Sequence, residues 1–574
     1  MKTKWIIQET DADLNLMSKV LGVSRITANV MANRGLRTKK TALGFLNPSL
    51  ETAHDAMTIK GMPQAVELII EAIEAGTKIT IYGDYDVDGV MATTILLKIL
   101  HRIGANVDFY IPHRIEEGYG LNMEAIRQLH AAGTGLLLTV DNGISAIDEI
   151  ATAKELGMKV IVLDHHDPGF IETEEGKEDI LPIADVVINP KQADCPYPFK
   201  ELCAGGLAYK LAVALEKTPD DELLALAAIA TICDIVQLQD ENRIIVKEGL
   251  ARLNSHKLIN PGLGSLITAR GYLDKTIDAF AVGFILGPCL NATGRLGSAR
   301  ASVELLLAES QEERFRLTEE LCRLNDERKK LTANCVERAL NSLSEPLDKV
   351  LVITDPEAHE SVAGIVAGRI KEATGRPTIL LTQGDSAMKG SGRSVEGYNL
   401  FEALFAQRHL FLRFGGHPMA AGLTLHGENI PLLREALNAD CNLTNEDFST
   451  ALNIDCELGA RNITLAQSEE LAKLAPFGKG NREPLFVSRN IYVESCRVMN
   501  EKNTLIFTFS VGGTRLKGIA FGLNENYANM CMSAKAKPIG GFGMDVVYIL
   551  ETNVYNGMAS VQMRVKDFKI QQPD

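Results

Sequence analysis

Acidic and imidazole side chains follow three short apolar segments of this sequence. Segment 160–163 ends in Asp164-His165-His166, segment 79–82 is followed by Asp84, Asp86 and Asp88, and segment 136–140 is followed by Asp141. Carboxylate oxygens combined with one or two imidazoles suit Mn²⁺ or Mg²⁺. If the segments are strands of an open parallel sheet, these groups share the carboxyl edge, where ligands bind. The pattern predicts a divalent-metal site.

Asp234 ends a further apolar segment, 230–233, and joins the candidate ligands. Each position also has a structural interpretation. The triplet at 84–88 could be a solvated turn, or could cap a helix that starts near Gly89. Asp141 lies in a common turn sequence, Asp234 could end a helix, and a buried histidine is usually a core residue. Because all positions are filled together, the joint pattern favours the metal site.

The segments between these groups alternate between two periodicities. Apolar segments rich in β-branched residues occur at 79–82, 107–111, 136–140, 160–163 and 186–189, with helical patterns such as 89–103 and 145–156 between them. Such alternation predicts a parallel α/β sheet, here assigned to residues 59–300.

Four other regions complete the predicted organisation. Residues 1–58 are predicted to form a helical lead-in. Residues 301–345, which lack Gly and Pro, are predicted to form a long helix that either connects two domains or packs in a bundle. The helix carries an apolar stripe at Leu317, Leu321, Leu324 and Leu331. Residues 346–448 repeat an α/β pattern on a smaller scale. Residues 449–574 alternate as strands with Gly-rich turns, which predicts a small antiparallel barrel.

The composition restricts the cellular compartment and the kinds of binding partner that are expected for this chain. Ten cysteines without a C-x-x-C pair disfavour a zinc site or a disulfide framework and indicate a reducing cytoplasm. Residues 1–5 lack the apolar core of a signal peptide, and the longest apolar stretch, 223–233, is shorter than the roughly 20 residues that span a bilayer. A net charge of −15 disfavours nucleic acid globally, although a basic groove is a local property.

Three glycine-containing clusters could bind phosphate. Arg295 lies in a predicted Gly-flanked turn, Ser391 and Arg393 flank a glycine, and Gly415-Gly416-His417 forms a predicted bend before a small-residue helix. Glycine permits close backbone approach and the arginine fork matches phosphate oxygens. Each cluster could instead be a tight connection whose arginine pairs with a surface acid. There is no Walker A pattern.

Taken in order, these motifs resemble the DHH phosphoesterase superfamily and, within it, the RecJ family of bacterial single-strand-specific 5′-to-3′ DNA exonucleases. The motifs lie at 83–89, at 111–114 with 117–120, at 140–143, at 164–166 and at Asp234. Asn142 stands where many relatives carry cysteine. The resemblance covers nearly the whole chain.

The resemblance implies a pair of divalent ions, Mn²⁺ by preference or Mg²⁺. The implied ligands are Asp84, Asp86, Asp88, Asp141, His165 and Asp234. Asp141 would bridge the ions, while the division of the first three aspartates between them stays open. His166 would help to protonate the leaving oxygen or hold the scissile phosphate. Two cations can activate a water and stabilise the attacking and leaving oxygens.

The resemblance also assigns the other regions. Residues 346–448 would be a DHHA1-like domain, and the barrel an OB-fold that binds single strands. The 5′-terminal phosphate and nearby backbone would contact Arg114, Arg295, Ser391, Arg393, Gly415, Gly416 and His417. A narrow cleft between the two α/β domains would admit one strand. Barrel candidates are Lys479, Arg482, Arg515 and Lys517, while Phe477 and Phe507 could stack bases or belong to the core.

In biological terms, the resemblance implies hydrolysis of single-stranded DNA to 5′-mononucleotides in DNA repair and recombination. The expected chain is a cytoplasmic monomer without a membrane partner. Single-strand-binding protein and a RecQ-type helicase are the expected protein partners.

Three other functions are compatible with parts of the sequence. Asp86-Val87-Asp88-Gly89-Val90 also fits the signature of haloacid-dehalogenase-type phosphatases, which form an aspartyl-phosphate, but His165 and His166 have no place in that scheme. A second alternative keeps the DHH fold and changes the substrate to short oligonucleotides, cyclic dinucleotides or pyrophosphate. The third is a scaffold that binds single strands without cleaving them.

Overall fold

The computed structural model describes residues 3–114, 116–118, 120–173, 176–218, 220–384, 386–449, 451–499, 504–522, 525–536 and 539–571. The chain divides into two compact units, neither of which is continuous in sequence. The first unit contains residues 44–328 and 476–482. The second unit contains residues 1–43, 329–475 and 483–574.

The N-terminal region is not wholly helical, which corrects the predicted lead-in. It contains β1 (Lys4–Ile7), α1 (Leu14–Leu21), α2 (Arg25–Asn33) and α3 (Lys39–Leu46). The strand pairs in parallel with residues 451–454 of the same unit. Because its partner lies more than 400 residues away in the chain, the local pattern could not reveal the strand.

The first unit alternates strands and helices, as predicted. Its elements are α4 (Met62–Glu74), β2 (Ile79–Tyr82), α5 (Val87–Arg102), β3 (Val107–Tyr110), α6 (Met123–Ala131), β4 (Leu136–Val140), α7 (Ile147–Glu155), β5 (Lys159–Leu163), β6 (Gly169–Thr173), β7 (Gly176–Ile180), β8 (Val186–Ile188), α8 (Ala204–Glu216), α9 (Asp221–Cys233), α10 (Asp240–Ser255), α11 (Pro261–Ala269), α12 (Ala279–Ala281), α13 (Gly287–Leu296) and α14 (Arg300–Leu307). A π-helical turn, Val282–Leu286, joins α12 to α13.

Five of these strands form one parallel sheet in the order β3-β2-β4-β5-β8. Every residue of β2 and β4 is buried, as expected for a parallel sheet covered on both faces. The order reverses between β2 and β4. This reversal is the topological switch point at which open α/β sheets bind ligands. The predicted parallel α/β core is confirmed.

The predicted long helix over 301–345 is two helices. After α14 the chain passes through extended Ala308, and α15 runs over Gln311–Asn341. The backbone N–H of Glu313 donates to Oγ of Ser310 (3.1 Å), which caps the second helix. Ser310 and Glu313 have the spacing of a capping box, so the sequence did contain the signal for the break. Leu317, Leu321 and Leu324 of the predicted stripe are buried.

The second unit combines a mixed sheet with a barrel. The remaining elements are β9 (Leu351–Thr354), α16 (Glu360–Thr374), β10 (Thr378–Gln383), β11 (Met388–Arg393), α17 (Leu400–Ala406), β12 (Phe411–His417), β13 (Ala420–Leu425), α18 (Ile430–Ala439), β14 (Ala451–Ile454), β15 (Cys456–Glu457), α19 (Leu465–Ala472), β16 (Phe486–Met499), β17 (Thr504–Val511), β18 (Thr514–Ala520), α20 (Glu525–Ala536), β19 (Phe542–Tyr555) and β20 (Met558–Ile570). The mixed sheet has the order β12-β13-β11-β10-β9.

The C-terminal strands close into a barrel, as predicted. Neighbouring strands follow the order β16-β17-β18-β20-β19, and β19 pairs back to β16. The barrel is not wholly antiparallel, because β18 and β20 pair in parallel. Helix α20 and strand β19 lie between them in the chain and provide the crossover that parallel strands need.

One helix in the described part of the chain, Ala279–Leu296, is long and apolar enough to cross a membrane, with 18 residues and a mean hydropathy of 1.2. Half of it is buried within the protein, as in the core helix of a globular domain. Length and composition alone are therefore weak evidence for a membrane span.

Candidate metal centre and phosphate-binding residues

The sheet of the first unit brings the predicted ligands to one edge. Asp84 follows β2, Asp141 follows β4, and His165 follows β5. The first two flank the switch point. Asp141 has a φ of 65°, a left-handed conformation that costs a non-glycine residue free energy. This unusual backbone turns the Asp141 carboxylate toward His165, whose Nε2 lies 3.1 Å from Oδ1 of Asp141.

The acidic triplet is not an extended strand, which corrects one step of the sequence argument. Asp86 is the N-cap of α5 and accepts from the backbone N–H of Gly89 (3.1 Å). Asp88 lies in the first turn of the same helix. A Cβ at Gly89 would lie 2.6 Å from the carbonyl oxygen of Asp84, so only glycine permits this approach. The helix start therefore gathers the three carboxylates.

Helices position Asp88 and Asp234, the two remaining candidate ligands. Both oxygens of Asp88 accept backbone hydrogen bonds at the start of α8, from Ala204 (2.8 Å) and Gly205 (2.7 Å). Asp234 is the C-terminal cap residue of α9. Nε2 of His165 lies 3.7 Å from a carboxylate oxygen of Asp88 and 3.8 Å from one of Asp234.

The candidate ligand atoms form overlapping groups, in each of which the atoms lie within 4.8 Å of one another. The groups are Asp84 with Asp86 and Asp141, Asp88 with His165 and Asp234, and Asp141 with His165 and His166. All six residues predicted to bind metal therefore lie in one cluster. Asp141 and His165 each belong to two groups, and Asp141 links the triplet to the histidines.

The electrostatics of the cluster indicate that positive charge is needed there. Burial, followed by repulsion from Asp86, raises the pKa of Asp88 to about 6. Burial, followed by repulsion from Asp88 and Asp86, raises the pKa of Asp234 to about 8. The pKa values of Asp84 and Asp141 also lie well above the ordinary range, mainly because of burial. A cation among these carboxylates would offset both effects.

Two carboxylate oxygens indicate whether the cluster is suited to bind such a cation. Among the residues described, Oδ1 of Asp84 and Oδ2 of Asp234 are buried and have no hydrogen-bond partner. A buried carboxylate oxygen without a partner is costly, and a hard divalent cation is the partner that this donor set suits. Burial lowers the pKa of His165 to about 3, which keeps its imidazole neutral and able to ligate.

His166 has the opposite electrostatic character. Burial would lower its pKa, but a hydrogen bond between its Nδ1 and Oδ1 of Asp164 (2.7 Å) raises the pKa to about 9. Asp164, together with the charges of Asp234 and Asp88, therefore favours the protonated ring. The pKa of Asp164 is lowered, because the hydrogen bond and charge of His166 outweigh the effect of burial. His166 thus carries a positive charge beside the carboxylate cluster.

Asp164 has a structural role that the sequence argument did not assign. Its carboxylate accepts from the backbone N–H groups of Ile144 (2.9 Å), His165 (2.7 Å) and His166 (3.1 Å). It therefore fixes both the loop after β4 and the orientation of His166. An acid immediately before two histidines was a usable signal, because a histidine at a reaction site commonly has a carboxylate partner.

Arg114 and Arg295 lie beside the cluster and share a neighbour, Tyr85. The Arg114 guanidinium lies over the Tyr85 ring, 4.8 Å from its centroid. The charges of both arginines act on Tyr85 and counter the rise in its pKa that burial causes. Arg295 lies in the last turn of α13 rather than in the predicted Gly-flanked turn. A Cβ at Gly294 would lie 2.3 Å from the carbonyl oxygen of Tyr85.

The other predicted phosphate-binding residues share the mixed sheet of the second unit. Ser391 and Arg393 are residues of β11, not of a turn. Gly415, Gly416 and His417 end β12, and the chain continues into strand β13 instead of the predicted helix. Two runs of small residues, 415–416 and 420–422, face each other in this hairpin, where Gly416 has a φ of 150° and packs against Ala421.

The strand register places these residues in two adjacent rows. Ser391 is opposite Gly422, which in turn is opposite Gly415. Arg393 is opposite Ala420, which in turn is opposite His417. Neighbouring strands are about 4.8 Å apart, so Ser391, Arg393, Gly415 and His417 lie within one patch of the sheet.

Helix α16 crosses this patch at a glycine. A Cβ at Gly364 would lie 2.6 Å from Nη2 of Arg393 and 2.9 Å from Oγ of Ser391. Arg393 also donates from Nη1 to Oγ of Ser391 (3.2 Å). The absence of a side chain at Gly364 therefore gives the arginine and the hydroxyl the space they occupy. The sequence argument missed this residue because a helical glycine has no evident role without its neighbours.

The candidate strand-binding residues fall in different places. Lys479 and Arg482 belong to the first unit, although they were predicted on the barrel. Lys479 acts electrostatically on Asp234, whose pKa its charge lowers. Arg515 and Lys517 are exposed on β18, where Arg515 pairs with Glu494 (2.7 Å). Phe507 is fully buried and is a core residue, whereas Phe477 is half-buried.

Comparison with known protein families identifies three domains in the chain. The DHH family N-terminal domain matches residues 78–231, the DHHA1 domain matches residues 347–442, and the RecJ OB domain matches residues 454–567. The order agrees with the predicted architecture.

Individual proteins resemble the chain over most of its length. The single-stranded-DNA-specific exonuclease RecJ of Bacillus subtilis is 38% identical over 99% of this chain and 71% of the relative. The crystal structure of Thermus thermophilus RecJ in complex with Mn²⁺ has a TM-score of 0.82 and 31% identity, covering 100% of this chain and 80% of that chain. The corresponding Mg²⁺ complex has a TM-score of 0.76 and 30% identity, covering 100% and 79%. The chain therefore belongs to the RecJ family of DHH-domain proteins.

Proposed function

We propose that this chain is a metal-dependent exonuclease that degrades single-stranded DNA from the 5′ end to 5′-mononucleotides. The observation that carries the proposal is the convergence of five carboxylates and two histidines at the switch point of the sheet. The curated relatives are named single-stranded-DNA-specific exonucleases, which supports the substrate. The reaction class is phosphodiester hydrolysis.

Two divalent ions, Mn²⁺ or Mg²⁺, are the proposed cofactors. The residues that would hold them are Asp84, Asp86, Asp88, Asp141, His165 and Asp234. The crystal structures of the Thermus relative with each of these ions support the choice. When bound, such ions supply an activated water and stabilise charge on the attacking and leaving oxygens.

The protein's own groups have complementary tasks. His166, protonated through its contact with Asp164, holds a proton beside the cluster and can donate it to the leaving oxygen or hold the scissile phosphate. Arg114 and Arg295 provide guanidinium groups for backbone phosphates next to the ligands. Asp164 keeps His166 oriented.

The direction of digestion is assigned to the phosphate-binding residues. The hydroxyl of Ser391 and the guanidinium of Arg393 lie on one strand, in a patch with Gly415, Gly416 and His417. A site that grips a terminal phosphate selects a chain end over an internal bond. We assign the 5′-terminal phosphate to this patch.

The proposed compartment, oligomeric state and protein partners rest on the composition and on membership of the family. The ten cysteines include no C-x-x-C pair, which supports a reducing, cytoplasmic compartment. Membership of the family supports a monomer that acts in DNA repair and recombination beside single-strand-binding protein and a RecQ-type helicase.

One assay tests the proposed reaction. The protein is incubated with 5′-phosphorylated single strands labelled at either end, or with blunt duplex, in Mn²⁺, Mg²⁺ or EDTA. We expect mononucleotides to be released from the 5′ end of the single strand in Mn²⁺ or Mg²⁺ and no product in EDTA. Release from the 3′ end, equal cleavage of duplex, or activity in EDTA would contradict the proposal.

A further inference from the structure

An exposed pair of aromatic rings lies on the helix that passes the metal cluster. The rings of Phe280 and Phe284 are stacked, with centroids 4.8 Å apart and planes 24° apart. The two residues are 60% and 66% exposed, which is unusual for phenylalanine. They flank the start of the π-helical turn Val282–Leu286, a type of irregularity that is frequent at functional sites.

The position of this helix relates the rings to the metal cluster. A Cβ at Gly283 would lie 3.9 Å from Cγ2 of Ile232, and one at Gly287 would lie 2.6 Å from Sγ of Cys233. The ring-bearing end of the helix therefore packs against the last turn of α9, which Asp234 caps. The Phe pair therefore belongs to the helical turns that contact Ile232 and Cys233, the two residues before Asp234.

The opposite end of the same helix carries Arg295. Arg295 lies eleven positions after Phe284, which corresponds to roughly 16 Å of helix. Arg295 lies beside Tyr85, and Tyr85 immediately follows the candidate ligand Asp84. The helix thus has the candidate phosphate-binding residue Arg295 at one end, a contact with the two residues before Asp234 in its middle and the Phe pair at the other end.

Lys479 provides a positive charge near Asp234. Leu238, four residues after Asp234, donates its backbone N–H to the carbonyl oxygen of Lys479 (2.8 Å). Gln239 donates from Nε2 to the carbonyl oxygen of Gly480 (3.0 Å). These bonds hold Lys479 beside the segment that leaves the cluster, where its ammonium acts on Asp234.

Aromatic faces together with cations are what single-strand-binding sites present to bases and phosphates. We propose that Phe280 and Phe284 stack on bases of the nucleotides that follow the scissile phosphate, while Lys479 contacts the backbone there. This inference rests on the proposed function, because it takes the 5′ side of the scissile phosphate to lie toward Arg295 and the remaining strand to leave toward the Phe pair. Stacking here holds the strand in register for the next cut.

The rings are exposed, so their removal leaves the core of the unit intact. Base stacking on an aromatic side chain contributes about tenfold to binding for each base. For long single strands, the double variant Phe280→Ala/Phe284→Ala is expected to raise KM by about tenfold or more. The ratio of kcat/KM for a strand of about 20 nucleotides to that for a trinucleotide is expected to fall by a similar factor.

Fluorescence tests the contact without any cleavage. In EDTA, 5′-phosphorylated strands with a single 2-aminopurine at successive positions from the 5′ end are titrated with the full-length protein. Wild type is expected to change the probe fluorescence most at positions a few nucleotides from the end. The double variant loses that position-dependent change, Phe284→Leu loses most of it, and Phe284→Trp retains it.

Phe315→Ala is the matched control, since Phe315 is 63% exposed on α15 of the same unit. It is expected to leave KM and the fluorescence profile unchanged. If the double variant, with an unchanged melting temperature, also kept the wild-type KM and profile, base stacking would be overturned and the pair would be assigned to a protein partner. Because binding is measured in EDTA, a failure of the proposed reaction would not imitate that result.

Discussion

Asp141 combines a left-handed backbone conformation with a buried carboxylate. Its left-handed φ of 65° is costly for a residue with a Cβ, and its buried carboxylate has a pKa well above the ordinary range. Both costs are offset if the carboxylate lies between positive charges. Asp141 and His165 each belong to two of the three ligand groups, but only the carboxylate has two oxygens that could contact separate ions, so we propose Asp141 as the bridging residue.

The variant Asp141→Ala should abolish cleavage and leave single-strand binding largely intact. Loss of a group that organises transition-state charge lowers turnover by about 10³-fold or more. Single-turnover cleavage in Mn²⁺ and fluorescence anisotropy of a labelled strand measure the two properties. Asp108→Ala, at an exposed carboxylate of β3 in the same sheet, is the control and should keep wild-type turnover. Wild-type turnover by Asp141→Ala would refute the bridging role.

At the scale of elements, the contact between α16 and β11 sets the positions of Ser391 and Arg393, two of the proposed phosphate-binding residues. Ser391 and Arg393 have little space beneath the helix, and the position of Gly364 makes that space available. An alanine there must move either the guanidinium or the helix. The helix as a whole would gain stability, because alanine is a better helix former than glycine.

We therefore expect Gly364→Ala to reduce the preference for a 5′-phosphate over a 5′-hydroxyl by about tenfold, the scale of one hydrogen bond to a charged group. Gly368→Ala is a matched control on the same helix, since its Cβ would meet Cγ of Arg393 at an ordinary 3.9 Å. Cleavage rates on the two kinds of 5′ end, with melting curves for both variants, make the comparison. Equal preference in the two variants would remove Gly364 from the role assigned here.

Helix α2 depends on a carboxylate from a distant helix. The backbone N–H of Ser24 donates to Oε1 of Glu470 (2.9 Å), and the Thr27 hydroxyl donates to the same oxygen. Burial would raise the pKa of Glu470, but these hydrogen bonds lower it from the ordinary value of 4.5. The ionised carboxylate is therefore favoured by folding, and its contribution is present above about pH 4.5 and is lost as the pH falls further.

Glu470→Gln should lower the melting temperature at pH 7, and the difference from wild type should shrink as the pH falls below about 4.5. Thermal melts between about pH 3.5 and 7 measure this dependence. Glu469→Gln, at the exposed neighbouring position, should show no such pH-dependent difference. A Glu470→Gln deficit that stayed constant down to about pH 3.5 would exclude the ionic contribution.

At the scale of the whole molecule, neither unit is a continuous piece of chain. The second unit includes residues 1–43. The first unit includes residues 476–482, which lie between α19 and β16 in the sequence. The N-terminal residues are integrated through the β1–β14 ladder, the bond from Nε1 of Trp5 to Asp567 (2.7 Å) and the contacts of α2 with Glu470. The N-terminal region is therefore part of the barrel-bearing unit.

Deleting residues 1–37, which removes β1, α1 and α2, should destabilise the barrel-bearing unit. Hydrogen exchange should accelerate in β14 and β20, whose partners are lost, while β2 and β4 of the first unit keep their protection. Trp5→Phe, which removes the indole N–H and leaves a smaller aromatic ring, should cost about 1–3 kcal/mol. Unchanged exchange in β14 after the deletion would show that the N-terminal region contributes nothing to the unit.

Local patterns were sufficient for the elements whose identity depends on near neighbours. The buried strands around 79–82 and 136–140 are continuous apolar segments, and the groups that follow them are fixed by chain order. The motifs therefore predicted the parallel core, the barrel and the carboxylate-histidine cluster, because strand ends of a parallel sheet converge whatever the remaining chain does.

Residues whose role depends on a partner far away in the chain could be assigned only in three dimensions. Strand β1 exists because β14 pairs with it, Asp88 is oriented by the amides of α8, and Gly364 matters because Arg393 lies against it. Long-range packing and hydrogen bonds select these arrangements at a free energy comparable to local preference, so the same short segments fit several conformations until the tertiary partner is present.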